Sequence, residues 1–96
     1  MAPDAASRAM AAYALALFHD NNSREAEAIP NYVRALDDGL PGDLVAPARA
    51  WLASSRFKTG DPAGALAEIR RSRAAGPDAA LARFLGALES RIARRR

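Results

Sequence analysis

Residues 23–36 and 60–73 carry the same pattern of residue sizes, and no other feature narrows the possible folds of this chain as far. Each copy has a turn residue (Ser23, Gly60), an alanine five positions later (Ala28, Ala65), a large apolar residue four after that (Tyr32, Ile69) and a small residue three further on (Ala35, Ser72). Steps of three and four keep side chains on one face of an α-helix. The copies stand 37 residues apart, and upstream of them Leu15-Ala16 matches Leu52-Ala53 at the same offset. The pair returns as Leu85-Gly86 late in the chain. A period of this size describes a unit that buries its apolar face only on a neighbour, so the units must stack.

Turn and cap residues cut the 96-residue chain into five helical segments, with no strand alternation between them. The first helix is expected from Asp4, as N-cap, to about His19. Its apolar line is Met10, Tyr13 and Leu17, with Ala9, Leu15 and Ala16 beside it. The second runs from Ser23, as N-cap, to Leu36. Glu25 and Glu27 suit the positive end of its dipole, and Pro30 should kink it. The third starts near Asp43, which puts Pro47 among the early positions where a missing amide costs little. Its apolar face is Val45, Ala48, Leu52 and Ala53, with Trp51. The fourth opens on Asp61 and Pro62, carries Ala65, Leu66 and Ile69, and stops at Gly76. The fifth opens at Pro77-Asp78, carries Leu81, Phe84, Leu85, Leu88 and Ile92, and frays into Arg94–Arg96. Links this short make successive helices neighbours in an antiparallel all-α array.

These residues resemble the tetratricopeptide repeat. That family sets a Leu-Gly/Ala pair in its first helix, Gly-Asp/Asn-x-x-x-Ala at the opening of the second, then an aromatic, an alanine and a late proline. The second copy matches at Leu52, Ala53, Gly60, Asp61, Ala65, Ile69 and Pro77. The first matches at Leu15, Ala16, Ala28, Tyr32 and Ala35. Departures are Ser23 for the turn glycine, Ser72 for a packing alanine, and His19 and Arg56 where an aromatic is usual. The period exceeds the family's usual 34 by three, with the excess in the Asp37–Asp43 loop. The stretch from Arg24 to Pro30, together with Ala35-Leu36, Gly39-Leu40 and Asp78 through Ala87, is similar to a small group of bacterial cytosolic tetratricopeptide proteins. The resemblance covers about residues 9–93. It implies helix hairpins stacked as a short right-handed array within one domain, 1–96: a repeat over about 9–42, a second over about 46–79, and a C-terminal capping helix over about 78–93.

Composition removes most chemistry. With no cysteine and one histidine, disulfide, zinc-thiolate and cysteine-nucleophile schemes are closed. His19, at a helix end, is read as a cap or packing residue. No phosphate loop or nucleophile elbow is present, so no catalytic residue, cofactor or metal is expected and the chain is not read as an enzyme. No apolar run approaches a membrane span, and Met1-Ala2-Pro3-Asp4 does not start like a signal peptide. A soluble, cytoplasmic protein is expected. About a quarter of the residues are alanine and thirteen of the fourteen bases are arginine. G+C-rich coding gives that composition without functional pressure, yet alanine favours helix and lets helices approach closely. Charge is divided: residues 1–48 hold three arginines against seven acids, and residues 49–96 hold eleven bases against four acids.

The family implies that the first helix of each repeat lines a concave groove. Tyr13, Leu17 and Asn21, then Ser54, Phe57 and Lys58, then Arg83 and Arg91 would face it, beside Met10, Ala50 and Ala87. Such a surface suits an extended or helical peptide with an acidic group. The alternative is that Tyr13, Leu17 and Phe57 simply pack in so short an array. The first repeat lacks the Lys–Asn pair of a chaperone-tail clamp, so that activity is not expected. The function expected is non-catalytic protein–protein interaction or scaffolding, with a protein or peptide partner or a second copy. One alternative is a nucleic-acid-binding module using Arg70, Arg71, Arg73, Arg91 and Arg94–Arg96, although few aromatics accompany them. Another is a regulatory subunit of an enzyme.

Overall fold

The computed structural model describes residues 4–95; the expectations placed on Met1–Pro3 and Arg96 lie outside them. These residues form five α-helices: α1 (Ala5–Asn21), α2 (Glu25–Asp38), α3 (Gly42–Lys58), α4 (Pro62–Ala74) and α5 (Ala79–Arg95). The odd-numbered helices start at Ala5, Gly42 and Ala79, and the even ones at Glu25 and Pro62, so a spacing of 37 governs every start. The link into α5 therefore keeps the same period as the Asp37–Asp43 loop. The extra length belongs to both units and not to one loop.

Three aspartates set helix starts as their sequence contexts require. The side chains of Asp4, Asp61 and Asp78 accept from the amides of Ser7, Gly64 and Leu81 at 2.8, 2.9 and 2.8 Å. The caps at Asp61 and Asp78 are each worth about 1 kcal/mol. The Ser7 amide also holds the Asp4 carboxyl below the usual carboxylate range.

Ser23 is not a cap. Its φ is 58°, the left-handed region that Gly60 occupies at 91° one period later. In both turns the next residue closes the preceding helix, with Arg24 N–H to His19 O and Asp61 N–H to Arg56 O, each 2.8 Å. The turn demands the left-handed residue, so Ser23 is committed to it and α2 begins from Arg24 without a side-chain cap. Nor is Asp43 a cap; the cap position lies two residues earlier, at Pro41, and Asp43 sits in the first turn of α3. Pro47 is consequently the sixth residue of α3, as Pro30 is of α2. Both helices run on without a break. The carbonyls left without their usual amide belong to Ala26 and Asp43, exposed residues whose carbonyls water can serve. At the other end, α5 stays helical through Arg95.

Links of three or four residues force packed neighbours to run antiparallel, and each helix packs on the next. The result is an elongated array of 49 × 26 × 19 Å. Small residues bring the helices close: Ala16, Ala28, Ala35, Ala53 and Ala65 are all fully buried. Helix α3 has two working faces. Ala48 and Leu52 join the core of α1 and α2, whereas Ala46, Ala50 and Ala53 join that of α4 and α5.

On α1 the buried face is Ala9, Ala12, Tyr13 and Ala16. Met10, expected on the apolar line, and Leu15, expected beside it, are 42% and 45% exposed, and Phe18 is 53% exposed. Leu52, one period after Leu15, is fully buried because α2 lies ahead of α3. No described helix lies ahead of α1. Two polar side chains inside are partnered, Tyr32 donating to Asp20 (2.7 Å) and Ser72 to the Ala46 carbonyl (2.8 Å), whereas His19 Nδ1 and the Ser55 hydroxyl are buried without a partner. The second bond explains why a serine holds the place Ala35 takes in the first unit.

Candidate functional site

Helices α1, α3 and α5 run in the same direction and together border an open groove of about 400 Å³. Leu17 and Asn21 come from α1, Ser54 and Lys58 from α3, and Phe84 from α5. Trp51 forms part of the wall, its ring edge-on to Phe84 at 5.1 Å. Asp20 sits at the α1 side, where its carboxylate accepts the Tyr32 hydroxyl. The Trp51–Phe84 pair also borders a second, apolar cavity of about 280 Å³ with Pro47, Ala80 and Leu81.

The groove thus gathers four of the eight residues expected there: Leu17, Asn21, Ser54 and Lys58. Tyr13 is only 8% exposed, with its ring 6.2 Å from that of Tyr32. Burial pushes the Tyr13 phenol up, and a hydrogen bond from Trp51 opposes the shift. Ala50 is fully buried, turned toward α4 and α5. Phe57 and Arg91 belong to a separate cavity of about 270 Å³, which they share with Arg94 and Arg95. Arg83 is exposed and borders neither cavity. The residues not expected in the groove are Asp20, Trp51 and Phe84. Trp51 could have been found from spacing, since positions 51, 54 and 58 lie on one helical face.

Ion pairs engage much of the Arg-rich half. Glu68 is buried, its side chain 3% exposed, between Arg49 at 3.0 Å and Arg71 at 2.6 Å. Arg73 of α4 makes two 3.0 Å bonds to Glu89 of α5. The Arg73 guanidinium holds the Glu89 carboxyl below its ordinary range. Lys58 faces Glu25, and Arg56 faces Asp61, both at 3.9 Å. Arg49, Arg71 and Arg73 are therefore engaged in ion pairs, which takes two cations, Arg71 and Arg73, from the nucleic-acid reading.

Nothing in the groove pairs a nucleophile with a base. His19 packs edge-on against Phe18 at 5.6 Å. Among the described residues no group of three or more His, Asp or Glu could hold a metal ion. No helix there is long and apolar enough to cross a membrane.

The arrangement, in which helices of one 37-residue period stack and their first members share one face, agrees with the family comparison. A match to the tetratrico peptide repeat covers residues 9–94. The chain belongs to the tetratricopeptide repeat family. Tetratricopeptide proteins generally mediate protein–protein interaction and are typically non-catalytic. Neither the curated proteins nor the solved structures gave a match.

Proposed function

We propose that this tetratricopeptide protein is a non-catalytic interaction module that takes a peptide segment of another protein in the groove between α1, α3 and α5. The observation that carries this is the groove's lining. Half-buried aromatic surface from Trp51 and Phe84 lies beside the polar ends of Asn21, Ser54 and Lys58. Aromatic surface gives an apolar anchor, and the polar groups fix the backbone or a charged end of the ligand. In this reading the chain divides into repeats over about 9–42 and 46–79 and a capping helix over about 78–93, and serves as a cytoplasmic scaffold.

The test is differential capture. Wild-type protein and the Ser54→Trp/Lys58→Ala variant, which fills the groove without touching the core, are used as baits in lysate of the source organism. Proteins retained by wild type and lost at least tenfold on the variant, at unchanged thermal unfolding, support the groove. Equal retention by both baits rejects it.

A second reading rests on α1. Leu15 and Phe18 stay exposed where Leu52 and Ser55, one period on, are fully buried. A second copy meeting this end would cover them. Sedimentation of the wild type against Leu15→Gln/Phe18→Gln decides, since a monomer at about 100 μM in both removes self-association.

A further inference from the structure

We infer that the C-terminal ends of α3 and α5 form an anion-binding site for an acidic stretch of a polypeptide ligand; this rests on the groove being a peptide site. Phe57, Arg91, Arg94 and Arg95 line a cavity of about 270 Å³. The guanidinium carbons of Arg91 and Arg95 lie 5.9 and 5.8 Å from the centre of the Phe57 ring.

Three observations point to a ligand. First, the cluster has no carboxylate partner among the described residues. The ion pairs of the described residues engage Arg49, Arg56, Lys58, Arg71 and Arg73, and none of Arg91, Arg94 and Arg95 has a carboxylate within 4.0 Å. Secondly, two guanidiniums lie over the Phe57 ring at cation–π distance, a contact that favours this placement. A stacked guanidinium keeps its N–H edge free, and carboxylates are bound through that edge, often by two parallel bonds. Less side-chain freedom is then lost on binding. Arginines near a helix C-terminus also complement its dipole, but the dipole does not require two of them to converge on an aromatic ring from another helix. Thirdly, the site continues the groove. Phe57 and Lys58 are adjacent on the last turn of α3, one lining each cavity. An extended ligand with an apolar residue over Trp51 and Phe84 would bring following acidic residues to the arginines.

The same geometry disfavours single-stranded nucleic acid. Such ligands stack bases on open aromatic faces. The one aromatic ring of this cavity is already covered by guanidinium, and Trp51 and Phe84 pack edge-on against each other.

The experiment uses fluorescence anisotropy on the 96-residue chain with three labelled probes. One is a short peptide with a Leu-Phe pair followed by glutamates, the second its glutamine counterpart, and the third an oligothymidylate of equal length. The glutamate peptide should bind at least tenfold more tightly than the glutamine peptide. Arg91→Gln/Arg95→Gln should remove most of that difference, a loss of roughly tenfold. Arg70→Gln/Arg83→Gln, which removes the same charge from exposed positions elsewhere, should change it less than twofold. Equal losses in the two variants would reduce the effect to net charge and overturn the site. So would equal binding of the two peptides, no binding of either, or a wild-type preference for oligothymidylate that Arg91→Gln/Arg95→Gln abolishes. Ser54→Trp/Lys58→Ala separates the two proposals. If it leaves lysate capture unchanged while the glutamate preference persists, the groove reading fails and the anion site stands. If capture is lost but the glutamate preference is absent, the groove stands alone.

Discussion

At the scale of single residues, the helix caps show how one small change in context reverses an expectation. Asp61 caps α4 through the Gly64 amide, and a Cβ added at Gly64 would run into the Asp61 carboxylate. At Gly86, inside α5, the same added carbon meets nothing within 4 Å. Glycine to alanine within a helix ordinarily stabilises by about 0.5–1 kcal/mol. Gly86→Ala should gain that amount. Gly64→Ala should gain almost nothing, because displacing the cap costs about 1 kcal/mol. Urea unfolding of the two variants checks this, and an equal gain in both would show that the cap contributes little. Asp61 and Pro62 were legible as a helix start because their chemistry is local. Ser23 was not, since its capping oxygen looked right while the left-handed turn it fills, where Gly60 stands in the next unit, is visible only in the backbone. Glu68 was invisible for another reason: Arg49 lies nineteen positions before it in the sequence, and only the α3–α4 crossing brings them together.

At the scale of helices, the recurrence of 37 holds at every helix start, yet it assigned the same burial to α1 and α3. Leu15 and Leu52 hold equivalent places in the pattern, but only Leu52 has a helix pair ahead of it. Periodicity records which side of a helix is apolar; it does not record whether a neighbour is there. Leu52→Ala should cost about 2–5 kcal/mol, enough to unfold much of a domain of marginal stability. Leu15→Ala should stay within about 0.5 kcal/mol of wild type. Thermal or urea unfolding measures both, and similar losses would mean that the outer face of α1 is covered in solution. Half of the groove was legible for the same reason. Leu17, Asn21, Ser54 and Lys58 lie on the exposed faces of first helices, whereas Tyr13 and Ala50 lie on the sides turned to the next helix. Phe57 lies instead beneath Arg91 and Arg95, side chains whose reach no spacing rule gives.

At the scale of the molecule, the first helices of the array carry different charges at their two ends. Because α1, α3 and α5 run together, their C-terminal ends share one edge, where Lys58 and the Arg91–Arg95 cluster lie. Their N-terminal ends share the other, where Asp43 and Asp78 border one cavity. The arginines that dominate the basic side also simplify the alkaline behaviour of the whole fold. Arginine keeps its charge throughout the range in which tyrosine ionises, and the chain has one lysine. Tyr13 and Tyr32 are then the groups to watch. Burial raises both phenols, and for Tyr32 the bond to Asp20 adds to the rise, placing it far above the ordinary tyrosine value of about 10. The folded chain therefore holds these protons where the unfolded chain releases them. Stability from this source is complete below about pH 10 and falls as pH rises from there toward the folded values, by up to about 1.4 kcal/mol per pH unit for each tyrosine. Tyr32→Phe should cost about 1 kcal/mol at neutral pH, through the lost bond to Asp20. Above pH 10 it should lose stability roughly half as steeply as wild type, so the two curves converge and then cross. Urea midpoints measured from pH 8 to 11.5 test this. Parallel curves would show that the Tyr32 phenol ionises as readily in the folded chain as in the unfolded one, and that the α1–α2 core is open to water.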